Sequence, residues 1–139
     1  MKNFSCLLVG CFLLLVSCGK DDGNYVPDVV VNFHAPLTDP RLQRLNSAGG
    51  AVTIDGYGVA GLVLYRKPDG SYVAYDRCST VNVQSRCAVT LDDPTITVTD
   101  PCSGAKFSLY DGSPVKAPAK RALKQYAVYI SGYQLSVIN

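Results

Sequence analysis

Gly61-Leu62-Val63-Leu64-Tyr65-Arg66, then Pro68-Asp69-Gly70, then Tyr72-Val73-Ala74-Tyr75-Asp76-Arg77-Cys78 is the stretch that decides the fold. Leu62 to Tyr65 is a short apolar run without helical period and reads as a buried strand. Pro68-Asp69-Gly70 is a turn signal, because Pro presets φ and Gly accepts the left-handed conformation. Tyr72 to Tyr75 then returns with alternating large and small side chains. Two strands joined by a tight turn make an antiparallel hairpin.

The same punctuation extends outward in both directions. Upstream, Val29 to Phe33 reads as a short strand stopped by Pro36, Thr38-Asp39-Pro40 as a turn, and Ala51 to Ile54 as a strand. Leu42 and Leu45 are candidates to plug the core. Downstream, Cys87–Leu91 and Thr95–Thr99 flank Asp92-Asp93-Pro94 as a second hairpin. Thr95–Thr99 alternates, which predicts one wet face. Lys106–Ser108 is a short strand turned by Asp111-Gly112. Tyr126–Ile130 and Leu135–Ile138 make a last hairpin around Ser131-Gly132. Gly56, Gly58 and Gly61 invite a phosphate-loop reading, but no helix pattern follows to supply the N-terminal amides such a cradle needs.

Composition agrees with an all-β chain. There are nine Tyr, 12 Gly and 8 Pro, and all 11 acidic residues are Asp. Glu is absent, so the residues that favour strands and turns dominate. Thirteen basic residues nearly balance the acids, which gives no electrostatic case for a nucleic-acid partner. Lys116, Lys120, Arg121 and Lys124 form a mild basic stretch, read as a solvated loop face.

The N-terminus addresses the chain to a membrane. Lys2 precedes the apolar run Phe4–Val16, which is short for a span. Leu15-Val16-Ser17-Cys18 resembles a lipobox, where signal peptidase cuts before a lipid-modified cysteine. The expected organisation is a signal peptide over 1–17, a tether over 18–27 acylated at Cys18, and a single β domain over 28–139. Anchoring is then by fatty chains and not by a helix. Lys20-Asp21-Asp22 resembles the signal by which one group of Gram-negative bacteria exports lipoproteins to the cell surface. The expected location is the outer membrane, on its outer face, with the periplasmic face as the alternative. Three sulfurs, Cys78, Cys87 and Cys102, remain in the folded part, where an oxidising compartment favours pairing.

From Gly61 onward the chain resembles a Rieske-type domain. Residues 61–66 and 72–78 resemble the strand pair leading into that family's first cluster loop. Pro101-Cys102-Ser103-Gly104-Ala105-Lys106-Phe107 resembles the second loop, usually Cys-Pro-x-His-Gly-Ser-x-Phe. Asp111-Gly112-Ser113-Pro114, Ala117-Pro118-Ala119 and Leu123-Lys124-Gln125-Tyr126-Ala127-Val128 resemble its tail. The resemblance implies an antiparallel β-sandwich or barrel with a smaller loop subdomain over about residues 78–118.

The resemblance also implies where a [2Fe–2S] cluster would bind, which takes two thiolates on one iron and two imidazoles on the other. Cys78 holds one cysteine position, but Thr80 stands at the first histidine position, Asp100 at the second cysteine and Ser103 at the second histidine. Ala105 replaces the serine that commonly bonds a cluster sulfide. His34 is the one histidine in the sequence and lies far away. Hydroxyls are poor iron ligands beside imidazole or thiolate, so no cofactor is expected. Zinc on Cys78, Cys87, Cys102 and Asp100 lacks the usual paired short spacings. The family's loop-tying disulfide implies Cys87–Cys102, with Cys78–Cys102 as the alternative.

No activated nucleophile is evident, and the reading is not that of an enzyme. The expectation is a lipid-anchored, non-catalytic binding or scaffold module whose partner is an envelope protein or a glycan. The alternatives are a Rieske [2Fe–2S] electron-transfer protein and a thiol-redox protein using Cys78 or a labile bridge, with Arg77 and Arg86 as the nearby cations in sequence.

Overall fold

A computed structural model describes residues 25–139; Cys18 and the segment before it lie outside the described residues. The described residues are all-β, with ten strands in two antiparallel sheets. The larger is a curled half-barrel of β1 (Asn32–Pro36), β10 (Gln134–Ile138), β9 (Gln125–Ser131), β4 (Tyr72–Asp76), β3 (Leu62–Arg66) and β2 (Ala51–Ile54), in that order across the sheet. The smaller runs β5 (Thr90–Leu91), β6 (Thr97–Thr99), β7 (Lys106–Ser108), β8 (Pro114–Lys116). It forms the loop subdomain expected from the sequence. No helix among the described residues is long and apolar enough to cross a membrane.

The hairpin β3–β4 holds the two sheets together because it is covered on both faces. Leu62, Leu64 and Ala74 face the inside of the curl with Phe33, Leu42, Leu45 and Leu135. Val63, Tyr65, Val73 and Tyr75 face the smaller sheet and pack on Val98, Phe107 and Leu109. This explains the unbroken apolar run Leu62–Tyr65, all at most 3% exposed. Leu42 and Leu45 do plug the core, from a 3-10 segment over Pro40–Asn46 that Asp39 caps through the Arg41 N–H.

Three local readings need correction. The first strand pairs three residues later than the apolar run indicates, because β10 sets its register: Phe33 sits opposite Val137 and Ala35 opposite Leu135. Val30 is left 89% exposed. Pro36 is accommodated since β1 is an edge strand. Ile96 is exposed while Val98 is buried, since the Ile96 N–H turns back onto the Pro94 carbonyl before the strand begins. Lys124 is buried and not part of a solvated face; its ammonium donates to the Pro27 carbonyl at 3.0 Å and pairs with the Asp28 carboxylate.

Candidate functional site

The site expected from the sequence lies where the loop after β4 meets the turn between β6 and β7. That turn is built by Asp100. Its main-chain N–H bonds the Ala105 carbonyl, its carbonyl accepts from the Gly104 N–H, and its Oδ1 accepts from the Cys102 N–H, at 2.8 Å each. Gly104 takes a left-handed φ of 77°, which a side chain would resist. The other carboxylate oxygen accepts from Ser103 Oγ at 2.6 Å and from Ser79 Oγ at 2.7 Å. Ser79 belongs to the first loop, so one carboxylate ties both loops.

Asp100 is 1% exposed and Ser79 is fully buried. Burial alone pushes a carboxyl pKa up, but the bonds from Ser103, Ser79 and the Cys102 N–H outweigh it and hold Asp100 below the usual carboxylate range. The anion is therefore the form the site is built around. The Cys87–Cys102 disulfide is a second tie between the same loops, with a Cα–Cα distance of 6.3 Å. It is the first of the two pairings that the resemblance left open.

The remaining expected positions point elsewhere. Cys78 is free, fully buried and packed with Val26 and Val83. Its sulfur lies 3.8 Å from the carbonyls of Ser79 and Val83. Burial, then the negative charge of Asp76, pushes this thiol up to about 11. Thr80 donates its hydroxyl to the Arg121 carbonyl at 2.7 Å. Thus Cys78, Thr80, Asp100 and Ser103 do not converge as four ligands. Asp100 and Ser103 meet each other and Ser79, while Cys78 and Thr80 serve packing and loop attachment.

Two residues of this region were not singled out in the sequence. Ser79, between the ligand-like positions 78 and 80, makes the loop-to-loop bond. Asp76 is fully buried and accepts from the N–H groups of Val59, Ala60 and Cys78 at 2.6, 3.1 and 2.8 Å, and from Tyr126 Oη at 2.7 Å. It fixes the start of the first loop against the glycine-rich turn at 56–61. Burial, reinforced by the bond to Asp76, pushes the Tyr126 hydroxyl pKa well up, so it stays a donor.

This donor set does not fit a Rieske [2Fe–2S] cluster. Donor atoms of Cys87, Asp100 and Cys102 do gather within 4.8 Å, but the two sulfurs are bonded to each other and the carboxylate already accepts three hydrogen bonds. No imidazole stands at either histidine position. A thiol buried among carbonyls and valines is likewise unsuited to thiolate chemistry, which needs a low pKa and access.

No family model matches the sequence, and a search of curated proteins gives no match. Solved structures do match. The plasma-membrane Rieske protein of Synechocystis PCC 6803 aligns at 21% identity over 81% of this chain and 100% of its own, with a TM-score of 0.55. The carbazole 1,9a-dioxygenase ferredoxin of Nocardioides aromaticivorans IC177 aligns at 19% identity over 79% and 95%, with a TM-score of 0.50. A Sphingomonas yanoikuyae B1 ferredoxin aligns at 19% over 69% and 93%, also at 0.50. At such identities the likeness concerns backbone and not chemistry: the chain has a Rieske-like fold.

Proposed function

We propose that this chain is a lipoprotein, anchored through Cys18 to the outer membrane of a Gram-negative bacterium and exposed at the cell surface. Its Rieske-like domain works without a cluster, as a non-catalytic binding or scaffold module. The observation that carries this reading is the Ser79–Asp100–Ser103 bonding, which occupies with an internal carboxylate the place where the fold's relatives would need a thiolate and an imidazole. The disulfide and the buried Cys78 thiol support it, since they leave no paired free thiolates at the loops.

The direct test is iron and acid-labile sulfide analysis of native material grown anaerobically with ample iron, with electron spin resonance of the reduced sample. A colourless, iron-free and spin-silent protein is expected. Stoichiometric iron with sulfide would instead make it an electron-transfer protein. The anchor is tested separately. Cys18→Ala should abolish labelling by a fatty-acid probe and release the chain from the membrane fraction; unchanged labelling would refute acylation at that residue.

A further inference from the structure

The chain enters the domain at the end where the loops gather. Val26 packs with Cys78 and Val83 of the first loop. The Arg121 guanidinium lies over the Tyr25 ring at 5.7 Å, and the Lys124 ammonium donates to the Pro27 carbonyl at 3.0 Å. Thr80 of the first loop donates to the Arg121 carbonyl. The entry point, the first loop and the 116–124 segment therefore share one end of the molecule. Tyr25 stands seven residues after Cys18. In any conformation seven residues reach at most about 25 Å, whereas a domain of this size is roughly 35 Å across. With Cys18 acylated, the loop end is held close to the membrane. The opposite end cannot be the part that rests on it.

Charge is divided along the same axis. The loop end exposes Arg86, Lys116, Lys120 and Arg121, none of them in an ion pair among the described residues. The Ala119 N–H bonds the Lys116 carbonyl, so Lys116 and Lys120 lie on one turn. The carboxylates at this end are already engaged. Asp76 and Asp100 are buried in their own hydrogen bonds, Asp55 pairs with Arg77, and Asp28 pairs with Lys124. No acidic residue follows Asp111 in the sequence. Asp21 and Asp22, offset by Lys20, leave the segment between Cys18 and Tyr25 only one charge negative. At the opposite end the turns are balanced: Asp39, Asp69, Asp93 and Asp111 offset Arg41, Arg44, Arg66 and Lys67. Unpaired cations gathered at the membrane-held end match anionic lipid headgroups. Tyr25, 44% exposed beside Arg121, is the kind of ring that suits a membrane–water interface.

We infer that the loop end of the domain rests on the membrane, with Arg86, Lys116, Lys120 and Arg121 contacting anionic lipid headgroups, and that the opposite end points outward. The inference rests on the anchor at Cys18 and adds to it an orientation and a lipid-contacting face.

The test uses protein extracted from membranes and reconstituted into phosphatidylcholine vesicles, with phosphatidylglycerol added to one set. Trace acetylation of lysines is read by mass spectrometry. Lys116 and Lys120 should react about fivefold more slowly, or slower still, on the anionic set than on the neutral one. Lys67, at the opposite end, should react equally on both, and high salt should abolish the difference. This comparison needs no substitution. Arg121→Gln should then weaken the protection of both lysines about fivefold. Equal acetylation on the two vesicle sets, whether fast at open loops or slow at loops covered by a second copy, would overturn the inference and leave the anchor standing. Protection of Lys67 in place of Lys116 and Lys120 would do the same. The same spectra show whether Cys18 carries acyl chains; an unmodified Cys18 would refute the anchor, and the inference with it.

Discussion

Asp100→Ala tests the idea that a carboxylate now holds the two loops together. The substitution removes the acceptor of three hydrogen bonds, at 2.6, 2.7 and 2.8 Å. Bonds to a charged acceptor contribute about 1.5–3 kcal/mol each when fully buried. Ser103 and Cys102 are exposed residues, so their donors turn to water and their share is small. Ser79 is fully buried, and its orphaned hydroxyl costs about 1–3 kcal/mol. Together with the lost attraction, the expected destabilisation is about 3 kcal/mol, a large fraction of a small domain's stability. Urea unfolding of the protein, followed by circular dichroism, reads it directly. A double-mutant cycle with Ser79→Ala isolates the loop-to-loop bond and should give a coupling of about 1–2 kcal/mol. Ser103→Ala should cost under about 1 kcal/mol. An Asp100→Ala variant within about 0.5 kcal/mol of the parent, or a cycle with no coupling, would refute the assignment.

Replacing Cys87 and Cys102 by Ser opens a loop closed over a separation of 15 residues, and chain entropy predicts a loss of about 3 kcal/mol; a melting curve unchanged by the double substitution would rule that out. A thiol count on residues 25–139 should give no reactive sulfur in native buffer and only Cys78 after denaturation, because that thiol is buried and its pKa is raised. Labelling of Cys78 without denaturant would contradict its packing. Asp100 and Asp92 both titrate below their unfolded range once folded: burial raises each, but the hydroxyl bonds, joined for Asp92 by Lys106, prevail. Their stabilisation is therefore present above about pH 4 and fades as pH falls through the lower folded values. Melting temperature should stay level from neutral pH to about 4 and drop below it, less steeply in Asp100→Asn. Gly58→Ala should destabilise by more than about 1 kcal/mol, since a Cβ there would stand 2.4 Å from Asp76 Oδ2 at a φ of +66°; a neutral result would mean the Asp76 pocket yields.

The sequence was most legible where local pattern and tertiary burial agree. The turn at Pro68-Asp69-Gly70 and the flanking apolar residues specify β3–β4, and Ser131-Gly132 specifies the last hairpin. It was least legible where a partner far along the chain decides. Asp76 depends on Tyr126, 50 residues on, and Lys124 on Asp28, 96 residues back. No local signal distinguishes such a buried carboxylate from the turn-forming aspartates. Ser79 carries no local signal for a related reason: it lies between the ligand-like positions 78 and 80, and its hydroxyl bonds Asp100, 21 residues on. The disulfide partner of Cys102 was legible only through the resemblance, because three sulfurs leave more than one pairing open. Cys78, the one position where the resemblance keeps a cluster ligand, is a packing residue.

The hairpin β3–β4 is wetted on neither side. Neither sheet can peel away without exposing residues that the other sheet's core also depends on. Melting should therefore be a single cooperative event, with calorimetric and van't Hoff enthalpies in agreement, and no partly unfolded species in which the smaller sheet is lost while the curl survives. Such all-or-none behaviour keeps sticky intermediates rare and the bordering loops free to vary in sequence.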